Sequence, residues 1–251
     1  MKQVFKRPES LKSAAFRFCP GCGHSLVHRM IAEAVDELQI RERVIGIAPV
    51  GCAVFAYDYF NFDVIECAHG RPPAVATALK RVNPDSIVFS YQGDGDLAAI
   101  GTGEIIHAAN RGENLSVFFI NNATYGMTGG QAAPTTLLKQ KTTTTPKGKT
   151  ISSEGYPLKV SELIATLDGA AFVARTALDG IKGITATKSL IVKVLSNQMQ
   201  GMGFSFLEIL SPCPTDWHLS SVDSFKWIST EMSKVFKPGI LKDVDNGNGK
   251  H

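Results

Sequence analysis

Two polar motifs frame one segment of this chain of 251 residues: Gly93-Asp94-Gly95-Asp96 and Asn121-Asn122. A carboxylate and an amide carbonyl are hard oxygen donors. They suit a cation such as Mg²⁺, which takes few protein oxygens and shares itself with phosphates. The glycines let backbone N–H groups come close to a diphosphate at a helix start. A β-branched and aromatic run, Ser86 to Tyr91, leads into the glycines. A second run, Leu115 to Ile120, leads into the asparagines, and Leu97 to Asn110 between them reads as a helix. Parallel neighbouring strands joined by that helix would place both donors together at their C-terminal ends.

The five cysteines carry a second chemistry. Cys19-Pro20-Gly21-Cys22-Gly23 is a tight knuckle whose two thiolates can grip one metal centre. Cys52 follows one expected strand and Cys213 follows the last. In a parallel sheet both strand ends lie at the edge that carries the phosphate loops. Cys19, Cys22, Cys52 and Cys213 can therefore converge, while Cys67 is left to pack as a small apolar residue. Ordinary buried thiols, a structural zinc and a [4Fe–4S] cluster all accommodate this spacing. The dispersal of the third and fourth cysteines leans away from a zinc ribbon, which usually uses two knuckles.

The elements that must position these groups alternate. His24 to Leu38 has helical spacing, and Val44 to Ala48 reads as a strand. Asp63 to Cys67 is a strand ending at Ala68-His69-Gly70-Arg71, with a helix to Arg81 starting near Pro72. Helices near Val160 to Leu167 and Thr187 to Gln200 alternate with strands at Ala171 to Ala174 and Phe204 to Leu210. The fold class is α/β, one doubly wound, mostly parallel sheet over the whole chain, with no internal repeat and no second domain. Thr124 to Pro157 loses hydrophobic periodicity, and Thr142 to Lys149 within it reads as an exposed loop. The last residues, from about 238 and including Asn246-Gly247 and Asn248-Gly249, read as a frayed tail.

Composition excludes other classes. Hydrophobic content of 44% and charged content of 20% are those of an ordinary globular chain. A net charge of +3 without a basic cluster argues against nucleic acid. No apolar run reaches the roughly 18–20 residues of a membrane span. The start, Met1 to Pro8, lacks an apolar signal core, so a cytoplasmic protein with few disulfides is expected.

Together these residues resemble the β subunits of 2-oxoacid:ferredoxin oxidoreductases. The resemblance runs from about Phe16 to Pro214. It is carried by Cys19-Pro20-Gly21-Cys22-Gly23-His24, Gly51-Cys52, His69-Gly70-Arg71, Gly93-Asp94-Gly95-Asp96, the run Asn121 to Gln131, and Ser211-Pro212-Cys213-Pro214. It implies a thiamine diphosphate-binding fold that supplies the diphosphate half of the cofactor site. Asp94 and Asn122 would hold Mg²⁺ through side chains and Thr124 through its carbonyl. Gly95, Asp96, Gly126 and Met127 would line the diphosphate and thiazolium end. Val50, Gly51, Cys52 and Ala53, and Ala68, His69, Gly70 and Arg71, match further cofactor-contacting segments. Cys19, Cys22, Cys52 and Cys213 match the [4Fe–4S] ligands, which selects iron over zinc by similarity alone.

The implied reaction is oxidative decarboxylation of a 2-oxoacid to acyl-CoA and CO₂, with coenzyme A as co-substrate and electrons leaving through the cluster to ferredoxin. An α subunit would bring the pyrimidine half-site and its glutamate, so no catalytic base is assigned here. Glu66 and Glu104 read as surface or packing residues. The partners implied form a hetero-oligomer, with γ and δ subunits as further candidates. Gly129-Gly130 departs from related chains that carry a lysine nearby, which places branched-chain 2-oxoacids, or a broad range of 2-oxoacids, level with 2-oxoglutarate. Thr142 to Lys149 could meet the partner or coenzyme A. The rivals are a non-oxidative thiamine diphosphate decarboxylase or synthase, which needs no cysteine cluster, and a non-catalytic zinc scaffold. A dinucleotide fold is disfavoured, because Gly101-Thr102-Gly103 lies in a helical segment and lacks the third glycine.

Overall fold

The computed structural model describes residues 6–244. Its centre is a seven-stranded sheet: β1 (Val44–Ala48), β2 (Asp63–Glu66), β3 (Ile87–Gly93), β4 (Ser116–Asn121), β5 (Ala170–Ala177), β6 (Phe204–Leu210) and β7 (Gly239–Asp243). The spatial order is β2-β1-β3-β4-β6-β5-β7. All pairs are parallel except β5 with β7, which is antiparallel. The chain steps from β1 outward to β2, then crosses back to β3 and proceeds the other way to β4. The reversal falls between β1 and β3, and ligands of open α/β sheets collect at such a point, beyond the strand C-termini.

Alternation along the strands divides the core in two, as both faces of a parallel sheet must be buried. Phe89, Tyr91, Phe118, Ile120, Leu207 and Ile209 pack on one side with the helices His24–Glu37 and Ile181–Met199. Val88, Val117, Phe119, Phe206 and Val173 pack on the other with Ala76, Ile105 and Ile164 of the helices Pro72–Val82, Thr102–Asn110 and Val160–Ala165. Cys67 packs partly buried against this second cluster, as a small apolar residue would. No described helix is long and apolar enough to cross a membrane.

Four expectations are corrected. The helix expected over Leu97 to Asn110 is a π-turn, Gly95–Ile100, followed by the α-helix Thr102–Asn110. The break is at Gly101, whose N–H bonds the Asp96 carbonyl at 2.8 Å. A Cβ there would stand 2.8 Å from the Gly70 carbonyl, so the close approach of the two loops shapes the turn. The second helix begins at Ile181 rather than Thr187. Gly183 and the β-branched residues hide its first turns from a propensity reading, but Gly183 lets that turn lie against the Ala177 carbonyl. The segment Thr142 to Lys149 is only partly exposed: Thr145 and Lys149 are buried, with Lys149 Nζ donating to the Pro134 carbonyl. In the expected tail, Gly239–Asp243 is the edge strand β7, while Asn246 to Gly249 lie outside the described residues.

Candidate functional site

The C-terminal ends of β1, β3 and β4 open into one cavity of about 200 Å³. It is lined by Val50, Gly51, Cys52 and Ala53 after β1, by His69 after β2, and by Gly93 to Asp96 after β3. Asn122, Thr124, Gly126 and Met127 after β4 complete it, with His24, Ile100 and Tyr125. Ala68, Gly70 and Arg71 do not line it. Ala68 and Gly70 form the turn that carries His69, and Arg71 forms an ion pair with Glu104. Glu66 is exposed.

Asp94 and Asn122 meet because β3 and β4 are parallel neighbours, with Gly93 opposite Ile120. The Asn122 N–H donates to Asp94 Oδ1 at 3.2 Å. The Asn122 side-chain amide closes on the same two oxygens: turned with its nitrogen toward them, it donates to Asp94 Oδ1 at 2.9 Å and to the Thr124 carbonyl at 2.7 Å. Turned with its oxygen toward them, it would join them as a third oxygen donor around a cation. An octahedral Mg²⁺ with bonds of about 2.0–2.1 Å separates its adjacent oxygens by about 3 Å, so the donor set fits. Asp94 is 2% exposed, and burial raises its carboxyl to about 7 against the lowering effect of its hydrogen-bond donors. One of these is the Thr135 hydroxyl, which donates to Asp94 Oδ2.

Gly51, at φ +97°, and Gly93 leave room: a Cβ on either would meet no protein atom within 4 Å. The π-turn opens at Gly95, at the strand end where a diphosphate would lie, and the start of a helical turn has N–H groups without partners inside it. Asp96 holds the neighbouring wall. It accepts from the Gly70 N–H and Gln92 Nε2, each at 2.6 Å, and from His69 Nδ1 at 2.6 Å. Burial raises the Asp96 carboxyl, and these three donors oppose the shift. With Nδ1 so engaged, the ring's other nitrogen is left for whatever the cavity holds. His24 is buried and bonded through Nδ1 to the Tyr91 hydroxyl at 2.7 Å. Burial lowers it to about 4, so it is a neutral imidazole.

The thiols gather beside this cavity. The knuckle closes on itself through the Cys22 N–H to the Cys19 carbonyl at 3.0 Å. It docks on the segment after β6, where the Gly23 N–H donates to the Pro212 carbonyl. Burial raises Cys22 to about 12 and Cys52 to about 11, and pushes Cys213 well above its ordinary value. Neighbouring thiols add to each shift: Cys52 and Cys19 act on Cys22, Cys19 on Cys52, and Cys22 on Cys213. Asp216 acts on all three, and Cys213 Sγ donates to its carboxylate at 3.1 Å.

Among the described residues, no three His, Cys, Asp or Glu side chains are gathered tightly enough to hold one metal ion. The cysteines and the Asp94–Asn122 pair adjoin: a Cβ on Gly126 would lie 3.5 Å from Cys52 Sγ and 3.6 Å from Asn122 Nδ2. Trp217 also bridges them, donating Nε1–H to the Asn122 carbonyl at 3.0 Å.

Thr135, Asp216 and Trp217 are neighbours of the candidate site that sequence reasoning missed. Thr135 lies in the aperiodic segment and carries no local signal. Asp216 and Trp217, three and four residues past Cys213, are marked only by proximity to a candidate ligand.

The sequence profile of the thiamine pyrophosphate enzymes' C-terminal TPP-binding domain matches residues 49–209. The ketoisovalerate oxidoreductase subunit VorA of Methanothermobacter thermautotrophicus is 47% identical over 243 residues, covering 97% of this chain and 51% of that protein. The 2-oxoglutarate synthase subunit KorB of Methanocaldococcus jannaschii is 40% identical over 199 residues, covering 79% of this chain and 69% of that protein. Among solved structures, a 2-oxoglutarate:ferredoxin oxidoreductase from Magnetococcus marinus, with 2-oxoglutarate, coenzyme A and succinyl-CoA bound, superposes with a TM-score of 0.76 at 25% identity. The match covers 96% of this chain and 86% of that chain. The chain thus spans about half the length of VorA and more than two thirds of KorB.

Proposed function

From the premise that this chain belongs to the thiamine diphosphate-binding subunits of the 2-oxoacid:ferredoxin oxidoreductases, we propose that it is the β subunit of such an enzyme. It forms one thiamine diphosphate-binding domain with an N-terminal cluster-binding knuckle. The reaction is oxidative decarboxylation: a 2-oxoacid and coenzyme A give acyl-CoA and CO₂, and two electrons leave to ferredoxin. The observation that carries this reading is the convergence of Asp94, the Asn122 amide and the Thr124 carbonyl beside the cysteines, with Gly126 between Asn122 and Cys52. Neither a non-oxidative decarboxylase nor a zinc scaffold accounts for both.

Asp94, Asn122 and the Thr124 carbonyl hold Mg²⁺, and Thr135 keeps the carboxylate turned toward it. Val50 to Ala53, Gly95, Asp96, Gly126 and Met127 line the cofactor's diphosphate end, and Asp96 fixes the His69 ring at the wall. Thiamine diphosphate, when bound, supplies the carbon nucleophile and electron sink that a 2-oxoacid decarboxylation needs. Cys19, Cys22, Cys52 and Cys213 hold the [4Fe–4S] outlet.

The family resemblance puts the cofactor's activating glutamate on an α subunit, and this reading is supported by the two carboxylates lining the cavity, Asp94 and Asp96, being already engaged. The exposed apolar rim of Val50, Ile100 and Met127 supports such a partner, because a water-facing patch at a cofactor mouth marks a contact surface. The chain works in a hetero-oligomer, and γ and δ subunits are further partners to seek in the purified assembly.

Among the described residues, no lysine or arginine lines the cavity, and Arg71 is tied to Glu104. A second carboxylate on the substrate would find no cation on this wall, which favours branched-chain 2-oxoacids over 2-oxoglutarate. The test is an anaerobic assay of the enzyme with its co-purified subunits, a low-potential acceptor and coenzyme A. 2-Oxoisovalerate should reduce the acceptor faster than 2-oxoglutarate, and Asp94→Ala should abolish both rates. Acceptor reduction that persists in the Asp94→Ala enzyme contradicts the assignment.

A further inference from the structure

The two asparagines after β4 do different work. Asn122 is placed at the cation, whereas Asn121 is fully buried and points into a polar network with no exposed end on the cavity. Its Nδ2 donates to Glu208 Oε1 at 2.7 Å. Glu208 stands on β6, is itself fully buried, and also accepts from Arg175 Nε at 2.8 Å and from the Ser161 hydroxyl. Arg175 lies directly opposite on β5 and clasps Glu162 with its two other nitrogens. Three neighbouring strands thus carry a side-chain relay from Glu162 through Arg175 and Glu208 to Asn121.

The relay ends on the backbone of the cation loop. Because the Asn121 nitrogen must face a carboxylate, its Oδ1 must face the other way, and there it accepts the Ala123 N–H at 3.1 Å. Ala123 is held at φ +56°, a conformation rare for a residue with a Cβ. This left-handed residue reverses the chain between Asn122 and Thr124. The Asn122 side-chain amide and the Thr124 carbonyl can then close on the same point, 2.7 Å apart. Stability alone does not explain the network, since burying an ion pair is often no better than apolar packing of the same volume. A fixed amide polarity at Asn121 is what an apolar replacement could not provide.

We propose that Glu208, backed by Arg175, is a positioning residue for the cation site, acting through Asn121 to set the left-handed turn that aims two of the three ligand oxygens. The inference rests on the reading of Asp94, Asn122 and Thr124 as cation ligands.

The test uses the purified enzyme with its accompanying subunits, thiamine diphosphate and Mn²⁺ in place of Mg²⁺. Bound Mn²⁺ is read by electron paramagnetic resonance. Glu208→Gln removes the charge that orients Asn121 and is expected to weaken Mn²⁺ binding about tenfold, the scale of losing an outer partner of a metal ligand. The double variant Asn121→Asp, Glu208→Gln restores the polarity: the glutamine nitrogen donates to the new carboxylate, and its oxygen still accepts from Arg175 and Ser161. It should recover wild-type affinity to within about threefold, which a merely structural role would not require. Glu113→Gln, which breaks a remote carboxylate pairing with Arg81 and Arg111, should leave the affinity unchanged.

A wild-type enzyme that binds no Mn²⁺ would refute the ligand assignment itself. Wild-type affinity in Glu208→Gln, or a folded double variant as weak as Glu208→Gln, would overturn the positioning role alone. If Glu208→Gln does not fold, Asn121→Ala leaves the Arg175–Glu208 pair in place and must show the same loss; full affinity there overturns the proposal.

Discussion

Thr135→Val tests whether the aperiodic segment after β4 is part of the cation site. Valine keeps the shape of threonine but removes the hydroxyl that donates to Asp94 Oδ2. Thr135 is fully buried, so water cannot replace the lost donor. A hydrogen bond to a charged acceptor contributes about 1.5–3 kcal/mol, and losing an outer partner of a metal ligand costs about 10–100-fold in affinity. The lower end applies here, because the Asn122 N–H still holds the other carboxylate oxygen. With Mg²⁺ and thiamine diphosphate well above their dissociation constant, a tenfold weaker site removes about 1.4 kcal/mol of ligand-induced stabilisation. For a chain of this size that is about 3–6 °C of melting temperature. The assay is a pair of melts, with and without Mg²⁺ and thiamine diphosphate. The ligand-free melt should fall with the lost hydrogen bond, and the ligand-induced rise measured from that lower baseline should be smaller in Thr135→Val by the amount above. An undiminished rise would show that Thr135 does not hold the ligand carboxylate.

Gly70→Ala should cost about 1–3 kcal/mol in urea unfolding, since Gly70 sits at φ +76° and the new Cβ would meet Ile100 Cγ2 at 2.6 Å; an unchanged midpoint contradicts the close approach of the two loops. Burial lowers His28 to about 3 in the folded chain, whereas the unfolded chain titrates near 6.5. Between those values the unfolded state binds the extra proton, so stability falls as the pH drops below about 6.5, by about 2 kcal/mol at about pH 5. His28→Phe should lose that much less than wild type between about pH 7 and about pH 5, and equal losses would rule His28 out as the source. Cys19→Ser should remove the visible absorbance of thiolate-bound iron and block ferredoxin reduction, whereas a wild type purified without oxygen that is colourless and holds stoichiometric zinc would contradict the cluster.

Much of the scaffold was legible because strands buried on both faces announce themselves. Val44–Ala48 and Phe204–Leu210 agree with the apolar runs residue for residue. The meeting of Asp94 and Asn122 follows from strand–helix–strand connectivity alone, since parallel neighbours must bring their C-terminal ends together. The first turns of the helix from Ile181 are hidden from the sequence, because Gly183 counts against a helix locally while its tertiary fit against Ala177 counts for it. The strand β7 was missed because it is a short edge strand beyond the last helix, with a half-exposed pattern. Contacts at long range carry no sequence signal at all. Nothing near Thr135 points to Asp94, 41 residues earlier, and nothing near Glu208 points to Asn121, 87 residues away. His69 was legible by its motif, but its tie to Asp96 depends on the turn at Gly70.

The central claim is that a cation held by Asp94 and Asn122 anchors the cofactor's diphosphate beside an iron–sulfur outlet. The most direct measurement is electron paramagnetic resonance of the anaerobically purified enzyme, frozen after addition of a 2-oxoacid. The wild type should develop the signal of a reduced [4Fe–4S] cluster, and Asp94→Ala should keep its iron yet stay silent. A wild type with no such signal, or an Asp94→Ala enzyme that reduces its cluster at the wild-type rate, would contradict the account.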